Sequence, residues 1–134
     1  MNMEGNMKLS EIMQRAKFER GAKNVILNLI FTDIEDADDV CQIYDYALSF
    51  VTKMPNNSMM LLFDLRGLIT NAKIDEQLEK MTVDCSKYFK ASSIVVDSRT
   101  EETMKSIAQK LGLSKMITYH DRGIANNYLM NSNL

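Results

Sequence analysis

Tryptophan is absent from the 134 residues, and there are only one histidine, one proline, two cysteines and five glycines. Each shortage excludes something. With a single histidine, His120, any Ser-His-Asp or Cys-His arrangement must run through that one residue. Asp121 is its neighbour, and no serine or cysteine is marked as a nucleophile. Cys41 and Cys85 are far apart and have no nearby Cys or His, whereas zinc sites are built from close pairs. A disulfide between them is not expected in a chain without an export signal. No apolar run reaches the roughly 20 residues that cross a bilayer, and Asn28 interrupts even Val25–Phe31. The opening Met1–Lys8 lacks the apolar centre and cleavage pattern of a signal peptide, so the expectation is a cytoplasmic domain with no transmembrane segment.

Excess charge of one sign is also missing. Sixteen Lys and Arg stand against 18 Asp and Glu, for a formal charge of −2. Lys80, Lys87, Lys90, Lys105, Lys110 and Lys115 are scattered without interleaved aromatics, which describes solvated helix faces and no nucleic-acid partner. What is present is ordinary globular material, 46 % apolar and 25 % charged, in a length suited to one domain. Residues 1–10 are polar and aperiodic and are expected to form a flexible tail, with the domain spanning 11–134.

Ile12–Glu19 is weakly patterned and fits a strand or a short helix; a turn at Gly21 follows. Asn24–Phe31 and Met59–Leu65 are apolar runs of strand length, and Ser92–Asp97 reads as a third central strand. Between them lie helical stripes. Val40, Tyr44, Ala47, Leu48 and Val51 form one, which should end at Pro55-Asn56-Asn57. Ile74, Leu78, Met81, Cys85 and Phe89 form the clearest, and Met104, Ile107, Ala108 and Leu111 a third, with Gly112 as its left-handed cap. Thr32-Asp33-Ile34-Glu35 and Ser98-Arg99-Thr100-Glu101 are candidate capping boxes. Met116–Tyr119 and Gly123–Met130 predict a last short strand and helix. Strands separated by helical crossovers require parallel pairing. The expected fold class is therefore α/β: a single domain with a mostly parallel sheet of about five strands, an N-terminal antiparallel strand and four helices.

Candidate chemistry is sparse. Asp33, Glu35, Asp36, Asp38 and Asp39 are acidic, yet the sixth and twelfth positions of a calcium loop begun at Asp33 would be Asp38 and Tyr44, where glycine and glutamate are needed. Carboxylates in the first turn of a helix answer its macrodipole instead. Asp64 lies at the end of a predicted parallel strand, where α/β ligand sites gather. Its simplest role is to bond the turn at Gly67; as a phospho-accepting aspartate it would need a lysine after the last strand, where Tyr119-His120-Asp121-Arg122 has none. Ser98-Arg99-Thr100 could hold an anion at a helix start, although capping also explains it. The 11 methionines are chiefly core fillers, a role that can extend to adaptable binding surfaces.

Phe50–Gly67, with its Met54-Pro55-Asn56-Asn57-Ser58 turn running into Met59–Leu65, resembles the helix end, turn and third strand of small bacterial STAS-like proteins, relatives of the anti-sigma-factor antagonists. Tyr88–Val96 and Ile117–Leu129 resemble that family's fourth strand and closing strand–helix, so the resemblance covers about residues 12–130. It implies a four-helix α/β domain that regulates by docking a protein partner, without catalysis or a cofactor. The family's switch is a phosphorylated serine after the third strand; Ala72, Lys73, Ile74 and Asp75 occupy the aligned loop, so that serine is absent and Thr70 is the nearest hydroxyl. The partner-binding residues that follow from the alignment are Leu68, Thr70, Asn71 and Lys73, with Lys73 favouring an acidic partner surface. Some STAS-like proteins are grouped with lipid-binding domains, which implies the alternative of a small apolar ligand in a Met-lined pocket near the strand ends.

Overall fold

The computed structural model describes residues 7–21, 24–55, 58–113 and 117–131, apart from the side chain of Ser86. The elements run α1 (Leu9–Arg15), β1 (Ala16–Arg20), β2 (Val25–Ile30), α2 (Ala37–Val51), β3 (Met59–Asp64), α3 (Ala72–Tyr88), β4 (Phe89–Val95), α4 (Ser98–Lys110), β5 (Thr118–Tyr119) and α5 (Arg122–Met130). They build an α/β fold on one five-stranded sheet in the order β1-β2-β3-β4-β5. β1 pairs with β2 antiparallel, and the remaining pairs are parallel.

Two layers follow from the period-2 alternation of the strands. Leu27, Leu29, Leu61, Phe63 and Ile94 face one way and pack with Val40, Ile43 and Ala47 of α2, Ile74, Leu78 and Met81 of α3, and Met104 and Ile107 of α4. Ile26, Met60, Leu62 and Val95 face the other way and meet only Ala125 and Leu129 of α5 among the described helices. Three crossover helices thus cover one face and a nine-residue helix covers part of the other.

Several expectations need correction. There are five described helices where four were expected, because Leu9–Arg15 is helical and β1 begins only at Ala16. Leu9 and Ser10 of the expected tail belong to α1, and Met7 packs against the core. Residues 1–6 and Asn56-Asn57 lie outside the described residues. Both capping boxes are displaced. Asp36, and not Thr32, caps α2 by accepting from the Asp38 N–H at 2.9 Å. Asp97, one residue before Ser98, caps α4 in a reciprocal box with Thr100. Phe89 shares the apolar stripe of α3 but is the first residue of β4, where an irregularity between Met59 and Met60 adjusts the register. Gly112 has φ +72° just after α4, as the left-handed cap requires.

Candidate functional site

The carboxyl edge of the parallel strands gathers the chain's polar side chains. β3 ends in Asp64, which is fully buried and grips the guanidinium of Arg66, receiving from Nε at 2.9 Å and from Nη2 at 2.7 Å. Arg122, at the start of α5, lies 4.0 Å from the same carboxylate. The expected bond from Asp64 to the turn is made to the Arg66 N–H, at 3.3 Å; the Gly67 N–H goes to Asp97 instead, at 2.7 Å.

Gly67 has φ +77°, and a Cβ there would run into the carboxylate of Asp33. Asp33 is itself left-handed, with φ +61°, and its N–H donates to the Arg66 carbonyl at 3.3 Å. The turns after β2 and β3 therefore lock into one another. Arg15 fastens α1 to the same edge by donating to the carbonyls of Ile30 and Thr32 at 3.1 and 2.9 Å.

This edge is built from satisfied charges. Hydrogen bonds from the Thr100 backbone, and then from the Gly67 backbone and the Thr100 hydroxyl, outweigh burial and hold the Asp97 carboxyl below its ordinary value. The hydrogen bond to Asp64 raises Arg66. Asp121 caps α5 by accepting from the Ile124 N–H at 3.0 Å. His120 sits 3.4 Å from Glu101, which also lies beside Thr118 and Lys105. At the start of α4 the Asp97 carboxylate occupies the Thr100 N–H, placing negative charge where an anion would have to bind. Burial pushes the Cys85 thiol up to about 12, with the Asp84 charge adding to it, and burial also raises Cys41. Neither is a ready nucleophile, because the thiolate is the reactive form. Asp39 is raised first by burial and then by Asp36, Glu11 and Asp38. Among the described residues no three His, Cys, Asp or Glu side chains converge as metal ligands.

The turn from β3 to α3 carries the residues that the sequence alignment singled out. Leu68 is a correction: at 1 % exposed it belongs to the core and cannot touch a partner. Ile69, 38 % exposed, presents the turn's apolar surface. Its N–H donates to the Ile34 carbonyl at 2.9 Å, so the turn is fixed to the loop after β2. Asn71 is exposed and caps α3 through the Ile74 N–H at 3.0 Å; Thr70 is half-buried and Lys73 exposed. Ile69, Thr70, Asn71 and Lys73 thus lie on one short, well-anchored segment.

A groove of about 470 Å³ begins beside this turn at Ala72 and runs between α3 and α4, lined by Asp75, Glu76, Glu79, Glu102 and Lys110. Lys110 pairs with Glu79 at 2.9 Å, and burial raises the Asp75 carboxyl. A second groove, about 340 Å³, is apolar and lies at the far end of the sheet between Phe63, Cys85, Phe89, Ile94, Leu113 and Ile117. Among the described residues it has no methionine lining of the kind expected of a ligand pocket.

Sequence reasoning missed Arg66, Asp97 and Arg122. The signal for Asp97 was one residue away, in the Ser98 box; for Arg122 there was none, because its approach to Asp64 depends on how α5 folds back. Compared with family models, curated proteins and solved structures, the chain finds no match in any of the three.

Proposed function

We propose that this chain is a non-enzymatic protein-interaction module, STAS-like in its sequence resemblance, that docks a partner through the turn Ile69–Lys73 and the adjoining α3–α4 groove. The observation that carries the reading is that turn: an exposed isoleucine held rigidly beside exposed polar residues at the mouth of a groove. Preorganised apolar surface of this kind costs little entropy to bind. The carboxyl edge supports the non-enzymatic part, since its carboxylates are committed to caps and an arginine clamp and both thiols are raised. Docking would proceed without the family's phosphorylation switch, because no serine stands in the aligned loop.

Lys73 alone favoured an acidic partner. The adjoining groove is lined by the carboxylates of Asp75, Glu76 and Glu102, which outnumber that one lysine, so the partner should bring basic side chains to the groove. Immobilised full-length chain should retain a binding protein from lysate of its source cells. The same protein should be lost with Ile69→Asp, weakened by Glu102→Lys and weakened by added salt. Capture indifferent to both substitutions would refute the reading.

The apolar groove beside Phe89 favours a second reading, a small apolar ligand. Lauric acid would then raise the melting temperature saturably, as any ligand specific for the native state does.

A further inference from the structure

Among the described residues the sheet ends at β1. No described strand pairs with its outer edge, and its residues Lys17, Phe18, Glu19 and Arg20 are exposed. Which backbone groups face outward follows from the hairpin. The Gly21 N–H donates to the Asn24 carbonyl at 2.7 Å, so those two residues form a hydrogen-bonded pair. Bonded and non-bonded pairs alternate along an antiparallel ladder, which makes Glu19–Ile26 and Lys17–Asn28 the next bonded pairs. Phe18 and Arg20 therefore aim their N–H and C=O groups away from β2.

We propose that two copies of this chain pair edge to edge through β1, antiparallel, with a two-fold axis at Phe18. In that register Phe18 meets Phe18 of the second copy in a bonded pair, and Arg20 meets Ala16. Lys17 falls opposite Glu19 in both directions, in the non-bonded pairs where side chains lie closest. The neighbouring registers fail. Sliding one way opposes two copies of Lys17, and sliding the other way opposes two copies of Glu19; like charges placed so are destabilising. The strand is thus self-complementary in one register only. Charged residues on an edge strand usually prevent pairing with other sheets, and here the same charges select a second copy of this one.

The helix side of the edge is aromatic. Phe18 packs edge-on against Phe50 of α2, with ring centroids 6.1 Å apart, and Phe50 packs on Tyr46 at 5.0 Å. Phe18 and Phe50 are nonetheless 43 % and 42 % exposed. The two-fold axis would set two such trios side by side and cover both. A single short strand and its aromatic flank make an interface below standard size, so the dimer should dissociate on the order of 1–100 μM.

Sedimentation equilibrium of the full chain from about 1 to 500 μM tests the proposal. The wild type should pass from monomer to dimer, and the Phe18 and Arg20 amides should gain hydrogen-exchange protection as it does. Lys17→Glu and Glu19→Lys should each weaken the dimer by about tenfold or more, since each opposes like charges twice. Both side chains are exposed, so the folds should persist by circular dichroism. Mixing the two variants should restore dimers, as should the double charge swap in one chain. A wild type that stays monomeric throughout overturns the proposal. So does a Lys17→Glu variant that dimerises as the wild type does, which would place the contact elsewhere.

Discussion

Replacing Asp97 tests the junction on which the carboxyl edge depends. One oxygen accepts from the Thr100 N–H at 2.9 Å and from its hydroxyl at 3.0 Å, and the other accepts from the Gly67 N–H at 2.7 Å. Asp97→Ala removes a helix cap, worth about 0.5–2 kcal/mol. It also leaves the Gly67 amide in a half-buried turn without its acceptor, which costs about 1–3 kcal/mol. The expected loss is about 2–4 kcal/mol, read from urea melts at pH 7. Asp97→Asn keeps one oxygen for Thr100 but offers Gly67 an amide donor, so it should lose about 1–2 kcal/mol.

The pH dependence has a definite sign. The folded carboxyl titrates below its unfolded value, chiefly because of the hydrogen bond from the Thr100 backbone. Its contribution is therefore complete above the unfolded carboxylate range near pH 4 and is lost as pH falls through the folded value. The gap between wild type and Asp97→Asn should be full at pH 7 and should shrink below about pH 4. A loss under about 0.5 kcal/mol for the alanine variant, or an asparagine gap unchanged at the acid end, would refute the junction.

Two further predictions concern the core. Leu78 is 2 % exposed where α3 meets the sheet, so Leu78→Ala should cost about 2–5 kcal/mol in urea melts through lost burial and a residual cavity. Ser93 is fully buried on the α5 face, and its hydroxyl has no hydrogen-bond partner among the described residues. Ser93→Ala should accordingly be neutral or raise the melting temperature, because an unsatisfied buried hydroxyl is itself a cost; a loss above about 1 kcal/mol would reveal a bond to that oxygen.

The sequence was most readable where hydrophobic period decided structure. Val25–Phe31 and Met59–Leu65 are buried too deeply to be anything but central strands, and Ile74, Leu78 and Met81 turn inward as their spacing requires. It was least readable at element ends. Asp36 and Asp97 took the caps from Thr32 and Ser98 because carboxylates compete well for the same amides, and a shift of one to four residues leaves the apolar stripes unchanged. Phe89 carries the same ambiguity, since an apolar residue at a helix–strand junction satisfies both periods. Leu68 was misplaced for a different reason. An aligned loop gives chain position but not side-chain direction, and alternation across the turn sends Leu68 inward and Ile69 outward. The Asp64–Arg66–Arg122 cluster joins groups from the middle of the chain and from near its C-terminus, so no local pattern announces it.

The strand order bears directly on where function can sit. In open α/β sheets ligand crevices form where the order reverses and successive helices pass to opposite faces. Here the order runs from β1 to β5 without reversal, and α2, α3 and α4 share one face. Only after β4 and β5 do successive helices, α4 and α5, leave to opposite faces; the ends of β2, β3 and β4 do not splay, and their loops close over one another through Asp33, Arg66, Gly67 and Asp97. Such an edge holds its turns still. The surfaces left for recognition are those that the layering exposes: the Ile69–Lys73 turn, which the closed edge presents rigidly, and the outer side of β1, where the sheet has no described neighbour. The two lie on different parts of the fold. A chain that dimerised through β1 would leave both docking turns available and would present two of them at once. Linked sites of that kind bind a repeated partner more tightly than either site alone. If both readings hold, Lys17→Glu should leave capture of a monovalent partner unchanged and weaken capture of a multivalent one.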